Sequence, residues 1–394
     1  MQDTVLALNA GSSSVKFGLY DLDPSVELVL VARGALESGD APRMSAKAAD
    51  GTPLCDVRLS ADVAHNTGFG EMLHWIEEEL GGRRLVAAGH RIVHGGRDFA
   101  DPVRLTPSVV EALDALTPLA PLHQPLSLAP IRTLADLRPD LPQVGCFDTA
   151  FHRSIDPPAS RFALPRRFEA EGIRRYGFHG ISYEYISGRL GEMGLKGKRT
   201  IVAHLGNGAS LCAIRDGRSV DTTMGFSALD GLVMGTRCGA LDPGILLYLL
   251  LEKDMPPEEV QRMLYKDSGL LGVSGLSSDM RTLEASDDLR AAEAVELFVF
   301  RAAREVAALA NTMGGLDCLV FTAGIGERSA SIRKAICERL RWLGVEIDSP
   351  ANDAHAAVFN RRDAPVEVHM IPADEEVVIA RHTLNVMQSG SRQG

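Results

Sequence analysis

Three glycine-rich segments, NAGSSS (9–14), HLGNGAS (204–210) and AGIGER (323–328), each follow an apolar run that reads as a strand. Small residues at such turns let the backbone approach a polyanion, and successive backbone N–H groups then point at phosphate oxygens. One such turn is commonly only a tight turn. Three in one α/β chain predict a nucleotide cleft between two domains. Two well-known phosphate fingerprints are absent. No GxxxxGK followed by Ser or Thr occurs, since Glu192 stands where a loop around LKGKRT needs its first glycine. GIGERS (324–329) has Ser329 where GxGxxG needs its third glycine, and no acidic residue is obviously placed for a ribose, which disfavours a dinucleotide-binding oxidoreductase. His90 and His94 have the spacing of a metal pair, but GHRIVHGG lacks the glutamate of HExxH, so both are expected to be structural.

The elements that must carry these turns follow from periodicity. TVLALNAGSSSVKFGLYDL reads as strand, small-residue turn, strand, and TIVAHLGNGASLCAIRDGRSV repeats that plan near residue 200. Arg215-Asp216-Gly217-Arg218 is a hairpin turn, because Asp-Gly supplies the left-handed conformations it needs. The repetition suggests two related α/β halves, with chance likeness of two hairpins as the alternative. Thr106-Pro107 begins a helix, with threonine as N-cap and proline at the first helical position; it stops at Pro118. Pro121, Pro125 and Pro130 mark an irregular connection around PLHQP. Residues 290–313 form the longest helix by pattern, closed by Gly314-Gly315. DCLVFTAGIGERSASIRKAI then gives a buried strand, a glycine turn and a helix, and alternating strands and helices imply an α/β architecture.

Composition narrows the class. With 394 residues, 45% apolar and 24% charged, the chain has the make-up of a globular protein of two or three domains at roughly 150 residues each. A net charge of −11 argues against nucleic acid or an anionic membrane as partner. The six scattered cysteines form no CxxC pair and fit reduced thiols. The start, MQDTVLALNAGSSS, lacks a basic n-region, and the longest strongly apolar run, 245–251, is far short of a membrane span. The expected location is the cytoplasm.

The chain resembles the acetate kinase (acetokinase) family of the acetate and sugar kinase/Hsp70/actin superfamily. The matching segments are ALNAGSSSVKF, GHRIVHGG, APLHQP, CFDTAFH, RRYGFHGIS, IVAHLGNGAS, TTMGF, GLVMGTRCG, GLSSDMR, FTAGIGE and IPADEEVVIAR, in family order over nearly the whole length. The resemblance implies an α/β chain of two ribonuclease H-like (actin-like ATPase) domains with an interdomain active-site cleft. Residues 1–147 plus 374–394 would form the first domain and 148–373 the second, which would also bind nucleotide and mediate a homodimer. It implies reversible, Mg-ATP-dependent phosphorylation of acetate to acetyl phosphate.

Site roles follow from the same resemblance. Asn9 and Glu375 match metal-associated positions for Mg2+, with Mn2+ as the alternative ion. Ser12, Ser14 and Lys16 sit in the first phosphate loop, and His204, Leu205, Gly206, Asn207 and Gly208 in the second. Asp279, Met280 and Arg281, with Gly324, Ile325, Gly326, Glu327 and Arg328, match the adenosine side. Arg91 and Arg237 match two substrate-side arginines able to clamp a carboxylate and the moving phosphoryl group. His179 matches a histidine that stabilises the phosphoryl group, and Asp148 the catalytic aspartate. A carboxylate substrate is already ionised at pH 7, so Asp148 is expected to order Mg2+ and its waters, with proton acceptor as the other role.

Val93, Leu122 and Phe178 match the apolar acyl pocket. Three departures bear on substrate ranking and nucleotide preference: Ala228 in place of a proline, Arg328 in place of a common asparagine, and Gln124 in place of an asparagine. Two other readings stay open at this stage. One is a propionate or butyrate kinase of the same family. The other is a non-catalytic ATP-binding module of the actin/Hsp70 kind, which would not need both arginines, His179 and Asp148.

Overall fold

The computed structural model describes residues 2–11, 14–23, 28–37, 42–58, 65–79 and 81–391, so Ser12 lies outside the described residues. Asp3–Ala10 (β1) and Ser14–Leu22 (β2) form the antiparallel hairpin foreseen at NAGSSS, with Asn9 opposite Lys16. Leu28–Glu37 (β3), Arg43–Ala48 (β4) and Pro53–Arg58 (β5) extend it antiparallel. Arg84–Ile92 (β6) lies parallel to β1, and after Val103–Arg104 (β7) the strand Gln143–Phe147 (β8) lies parallel to β6. The order is β5-β4-β3-β2-β1-β6-β8-β7.

A second sheet contains Thr200–Leu205 (β9), Ala209–Arg215 (β10), Arg218–Thr222 (β11), Cys318–Thr322 (β12) and Glu367–Met370 (β13), in the order β11-β10-β9-β12-β13. β9 is antiparallel to β10 and β10 to β11, whereas β12 is parallel to both β9 and β13. The run β3-β2-β1-β6-β8 has the same order and the same strand senses. The likeness of the two hairpins in sequence is therefore a duplicated topology, the arrangement expected of two ribonuclease H-like domains.

The chain divides into two compact units, Met1–Ala150 with Asp374–Gly394, and Phe151–Ala373. The break falls after residue 150 rather than at the expected 147/148, because the Asp148 N–H donates to the Ile92 carbonyl at 3.0 Å and continues the β6–β8 pairing. Asp148 thus belongs to the first unit. Helix Glu375–Ser391 returns to that unit, packing on β1 and β6. The first core gathers Leu6, Leu8, Phe17, Leu19, Met72 and Ile76. The second gathers Tyr183, Ile186, Val202, Cys212 and Val320.

Local chemistry explains most boundaries. Thr106 caps helix Pro107–Asp114 by accepting from the Val109 N–H at 3.3 Å. Asp216 and Gly217 take φ of 53° and 78°, as a two-residue hairpin turn requires. Gly314, at φ 70°, closes the helix Leu289–Met313.

Two expectations are corrected. The PLHQP region opens a helix, Gln124–Leu137. Pro125 sits in its first turn, where no N–H partner is needed, and burial of Leu128, Ile131 and Leu134 offsets the bond lost at Pro130. AGIGER is a short helix, Ala323–Arg328, rather than an open turn, entered through Ala323 at φ 64°.

The seating of the last helix on β6 depends on Gly89, where an added Cβ would lie 2.0 Å from Thr383 Oγ1 and 2.7 Å from Ile379 Cγ2. Gly89→Ala should cost about 1–3 kcal/mol, as overpacking does. A urea midpoint equal to that of the parent chain would contradict this packing.

Candidate functional site

In the first unit the site-bearing side chains stand at the ends of parallel strands. Arg91, on β6, reaches Asp148, the residue after β8: Nη2 to Oδ2 is 2.5 Å and Nε to Oδ2 is 3.0 Å. Its Nη1 donates to the Ala10 carbonyl at the end of β1, 3.1 Å away. Asp148 is only 1% exposed. Burial works against the Arg91 charge, but the carboxylates of Asp148, Glu375 and Glu376 outweigh it and hold the guanidinium firmly protonated.

At the opposite end of the chain's numbering, Glu375 and Glu376 open the last helix. The Asn9 amide nitrogen donates to Glu375 Oε2 at 2.8 Å and to Glu376 Oε1 at 3.0 Å. Burial, then the neighbouring Glu375 charge, pushes the Glu376 carboxyl above its ordinary range, while Asn9 and Lys16 oppose the shift. Two adjacent carboxylates with a carboxamide form a hard-oxygen set with surplus negative charge. That suits Mg2+, which takes one or two protein carboxylates and completes its shell with water and phosphate. Among the described residues no cluster of three or more His, Cys, Asp or Glu forms a closed metal cage.

Val93 is buried and Leu122 half-buried in this unit, and the Val93 N–H donates to Ser127 Oγ at 3.4 Å. Gln124 is wholly structural: it accepts from the His94 N–H and donates to the carbonyls of His94 and Leu113. Burial depresses His90 to about 3 and His94 to about 4, so both rings stay neutral. His94 lies beyond the end of β6 and its Nδ1 accepts from the Gly96 N–H, in keeping with a structural role.

In the second unit the β9–β10 turn is the focus. Gly206 N–H donates to the Gly208 carbonyl, and Asn207 is tied through its carbonyl to the Gly235 N–H. An added Cβ on Gly208 would lie 2.8 Å from Arg237 Nη2 and 3.3 Å from His179 Nε2, so glycine alone lets both groups approach this backbone. Arg237 is anchored by donating from Nη1 to the Ala228 carbonyl at 2.8 Å. His179 caps helix Gly180–Glu192 with φ at 59°, a left-handed conformation that costs a non-glycine residue roughly 1–3 kcal/mol. Its ring stacks on His204, 4.2 Å between centroids. Leu205 is fully buried and supports the turn from below, and Phe178 is buried with its carbonyl bound to His152.

A cavity of about 330 Å3 opens beside the same turn, lined by Gly206, Asn207, Asp279, Met280, Arg281, Gly324, Ile325 and Arg328, together with Glu284 and Ser329. Its size falls within the range of small-ligand pockets, roughly 300–1,000 Å3. Asp279 caps the helix Met280–Glu284 and is held ionised first by the hydrogen bond from Arg281. Eight residues expected from three separate segments are thus gathered around one space. Gly326 and Glu327 do not line it. The Glu327 carboxylate instead accepts from the Ala373 N–H at 3.0 Å.

Four residues beside the cavity and the carboxylate cluster were not foreseen as part of them. Glu376 was passed over for its neighbour, and Glu284 and Ser329 join each other across the cavity wall at 2.9 Å. The fourth, Arg333, is fully buried, and among the described residues it makes no ion pair. It donates to the carbonyls of Gly326 and Glu327 at 2.9 Å and to Asn352, and lies over the Phe359 ring. It thereby braces the end of the helix whose other residues line the cavity. The signal available for it was its place one helical turn beyond AGIGER.

The model of the acetokinase family matches residues 4–381 of the chain. An acetate kinase from Rhodopseudomonas palustris is 49% identical over 99% of this chain and 100% of that protein. Among solved structures, a propionate kinase from Francisella tularensis is 37% identical with a TM-score of 0.88, covering 98% of this chain and 100% of that one. An acetate kinase from Porphyromonas gingivalis is 35% identical with a TM-score of 0.84 over the same shares.

Removing one partner of a buried pair leaves the other charge uncompensated, at a cost of about 3–5 kcal/mol. Asp148→Asn should therefore destabilise the chain on that scale in denaturant unfolding. A loss below about 1 kcal/mol would mean that the Arg91–Asp148 contact is not a structural bond of this kind.

Proposed function

The chain belongs to the acetokinase family, and from that membership we infer that it transfers the γ-phosphoryl group of ATP to the carboxylate of acetate, giving acetyl phosphate and ADP. The observation that most supports this reading is the approach of Arg237 and His179 to Gly208 in the glycine turn after β9, beside the nucleoside-sized cavity. An acetate oxygen attacks the γ-phosphorus as the bond to the β-phosphate oxygen breaks, and ADP leaves with that electron pair. Acetate is ionised at neutral pH, its acid being close to a side-chain carboxyl at roughly 4–5, so no general base is needed. Catalysis then rests on positioning and on charge neutralisation.

We assign the turn at 204–208 to the phosphates, the cavity to adenosine, and Arg237 with His179 to the charge on the transferring group. Lys16 and Ser14 belong to the first phosphate loop. Arg91 binds the carboxylate of the acid, and Val93, Leu122 and Phe178 supply apolar contact for its methyl group. Asp148, whose Oδ2 accepts both Arg91 bonds, serves to hold Arg91 rather than to take a proton. Mg2+, or Mn2+ in its place, supplies neutralisation of the β- and γ-phosphate charge when bound, and Asn9 and Glu375, with Glu376, are the residues that would hold it.

A longer acid is the second reading. Ala228 leaves less side chain than a proline, and a propionate kinase is among the similar structures. One methylene in an apolar pocket discriminates by only about 1–3 kcal/mol.

Self-association belongs to the same proposal. Helix Pro243–Leu251 has no buried residue although its sequence is PGILLYLLL, and Leu247, Tyr248 and Leu251 are each more than half exposed. An apolar face of that kind marks an interface, here between two copies of the chain. Among the described residues no helix is long and apolar enough to cross a membrane. The six cysteines are free thiols, and the cytoplasm is the inferred location.

Three measurements test these assignments. With Mg-ATP and hydroxylamine trapping, kcat/KM should be highest for acetate in a series with propionate and butyrate; a higher value for propionate overturns the acetate assignment. Arg237→Ala, shown to be folded, should lose about 10²-fold or more in turnover at saturating substrates, and near-normal turnover would remove Arg237 from the chemistry. In sedimentation velocity the parent chain should run as a dimer and Leu247→Glu/Leu251→Glu as a monomer. A monomeric parent chain refutes self-association, and a dimer that survives both substitutions refutes this helix as its interface.

A further inference from the structure

The ring of His179 is gripped from behind by a chain of hydroxyls. Ser210, on β10, has its Oγ 2.8 Å from His179 Nδ1 and 2.5 Å from the hydroxyl of Tyr183, and both Ser210 and Tyr183 are fully buried. Tyr183 lies one turn further along the helix that His179 caps, and its N–H donates to the His179 carbonyl. The face of the ring is fixed as well. It stacks on His204 with 18° between planes, and His204 Nδ1 lies 2.9 Å from Ser182 Oγ. The other edge of the ring, Nε2, is turned toward Gly208 beside Arg237.

The direction of this chain follows from acidity. A phenol is a stronger acid than an aliphatic alcohol, hence the better donor of the two. With Tyr183 donating to Ser210, the Ser210 proton is the one available to His179 Nδ1, which then accepts. A neutral imidazole that accepts at Nδ1 carries its proton on Nε2. The reverse direction would ask the weaker acid to donate to the phenol oxygen.

We propose that Ser210 and Tyr183 are positioning residues that hold His179 as the Nε2–H tautomer, presenting a neutral N–H donor to the transferring phosphoryl group. This rests on the assignment of His179 to that group made above. A preset donor gains strength as charge develops on the phosphoryl oxygens and needs no reorientation at the moment of transfer. It also explains the left-handed backbone of His179: the strain is accepted where the ring must meet Ser210 with one nitrogen and Gly208 with the other.

The test separates the tautomer from the activity. In protein labelled with 15N-histidine, with the His179 signals assigned by their absence in His179→Gln, Nδ1 should show the shift of an unprotonated nitrogen and Nε2 that of a protonated one. Ser210→Ala should move both toward averaged values, and Ser210→Thr should restore them. Turnover should follow the spectrum. Ser210→Ala should lower kcat by roughly 10- to 100-fold, the scale of loss seen when the group that orients a metal-bound imidazole is removed. KM for both substrates should stay within about twofold, and Tyr183→Phe should lie in between. A proton on Nδ1 in the parent chain, or a spectrum unchanged in Ser210→Ala, overturns the proposal. So does the expected spectral change with kcat unaltered while His179→Gln is inactive. If His179→Gln itself retains turnover, the assignment of His179 fails instead, whatever its tautomer.

Discussion

A guanidinium taken out of water needs compensation on every side, and the first unit is organised around meeting that need for Arg91. Its partners come from three places in the chain: the Ala10 carbonyl ending β1, the Asp148 carboxylate following β8, and the field of Glu375 and Glu376 at the start of the last helix. None of the three is free to move without leaving a buried charge uncompensated. The pair therefore ties strand order to chemistry. Because β1, β6 and β8 run parallel, their C-terminal ends lie side by side, and Asn9, Arg91 and Asp148 fall at those ends. Open α/β sheets commonly bind ligands there.

The second unit repeats the plan with different residues. The turn 204–208 follows β9, and the helix Ala323–Arg328 follows β12, its parallel neighbour. The duplicated topology delivers chain ends to equivalent points twice, and the side chains then diverge: carboxylates and Arg91 in one unit, glycine backbone, His179 and Arg237 in the other. The supporting contacts diverge too. In the second unit the Ala228 carbonyl accepts from Arg237, and the carbonyls of Gly326 and Glu327 accept from Arg333.

How much of this was legible beforehand depended on how local the cause was. Hairpins, the Asp216-Gly217 turn, the Thr106 cap and the Gly314 stop are set by neighbours within a few residues, and they stand where the pattern put them. The helix from Gln124 was missed because three prolines speak locally against it, while the burial that sustains it comes from distant strands. The gathering of 206–207, 279–281, 324–325 and 328 around one cavity came from the family resemblance and not from spacing. Ser210 and Arg333 were invisible for a related reason. One is a serine in a strand and the other an arginine in a helix, until the fold brings a histidine ring or a pair of carbonyls against them.

The most direct test of the central pair is a double-mutant cycle on Arg91→Met and Asp148→Leu, read in both unfolding free energy and turnover. The account predicts that each single change is strongly destabilising, that the double variant is more stable than either by about 2 kcal/mol or more, and that it is nonetheless catalytically inactive. Strictly additive losses of stability, or a double variant that still turns over at a near-normal rate, would contradict it.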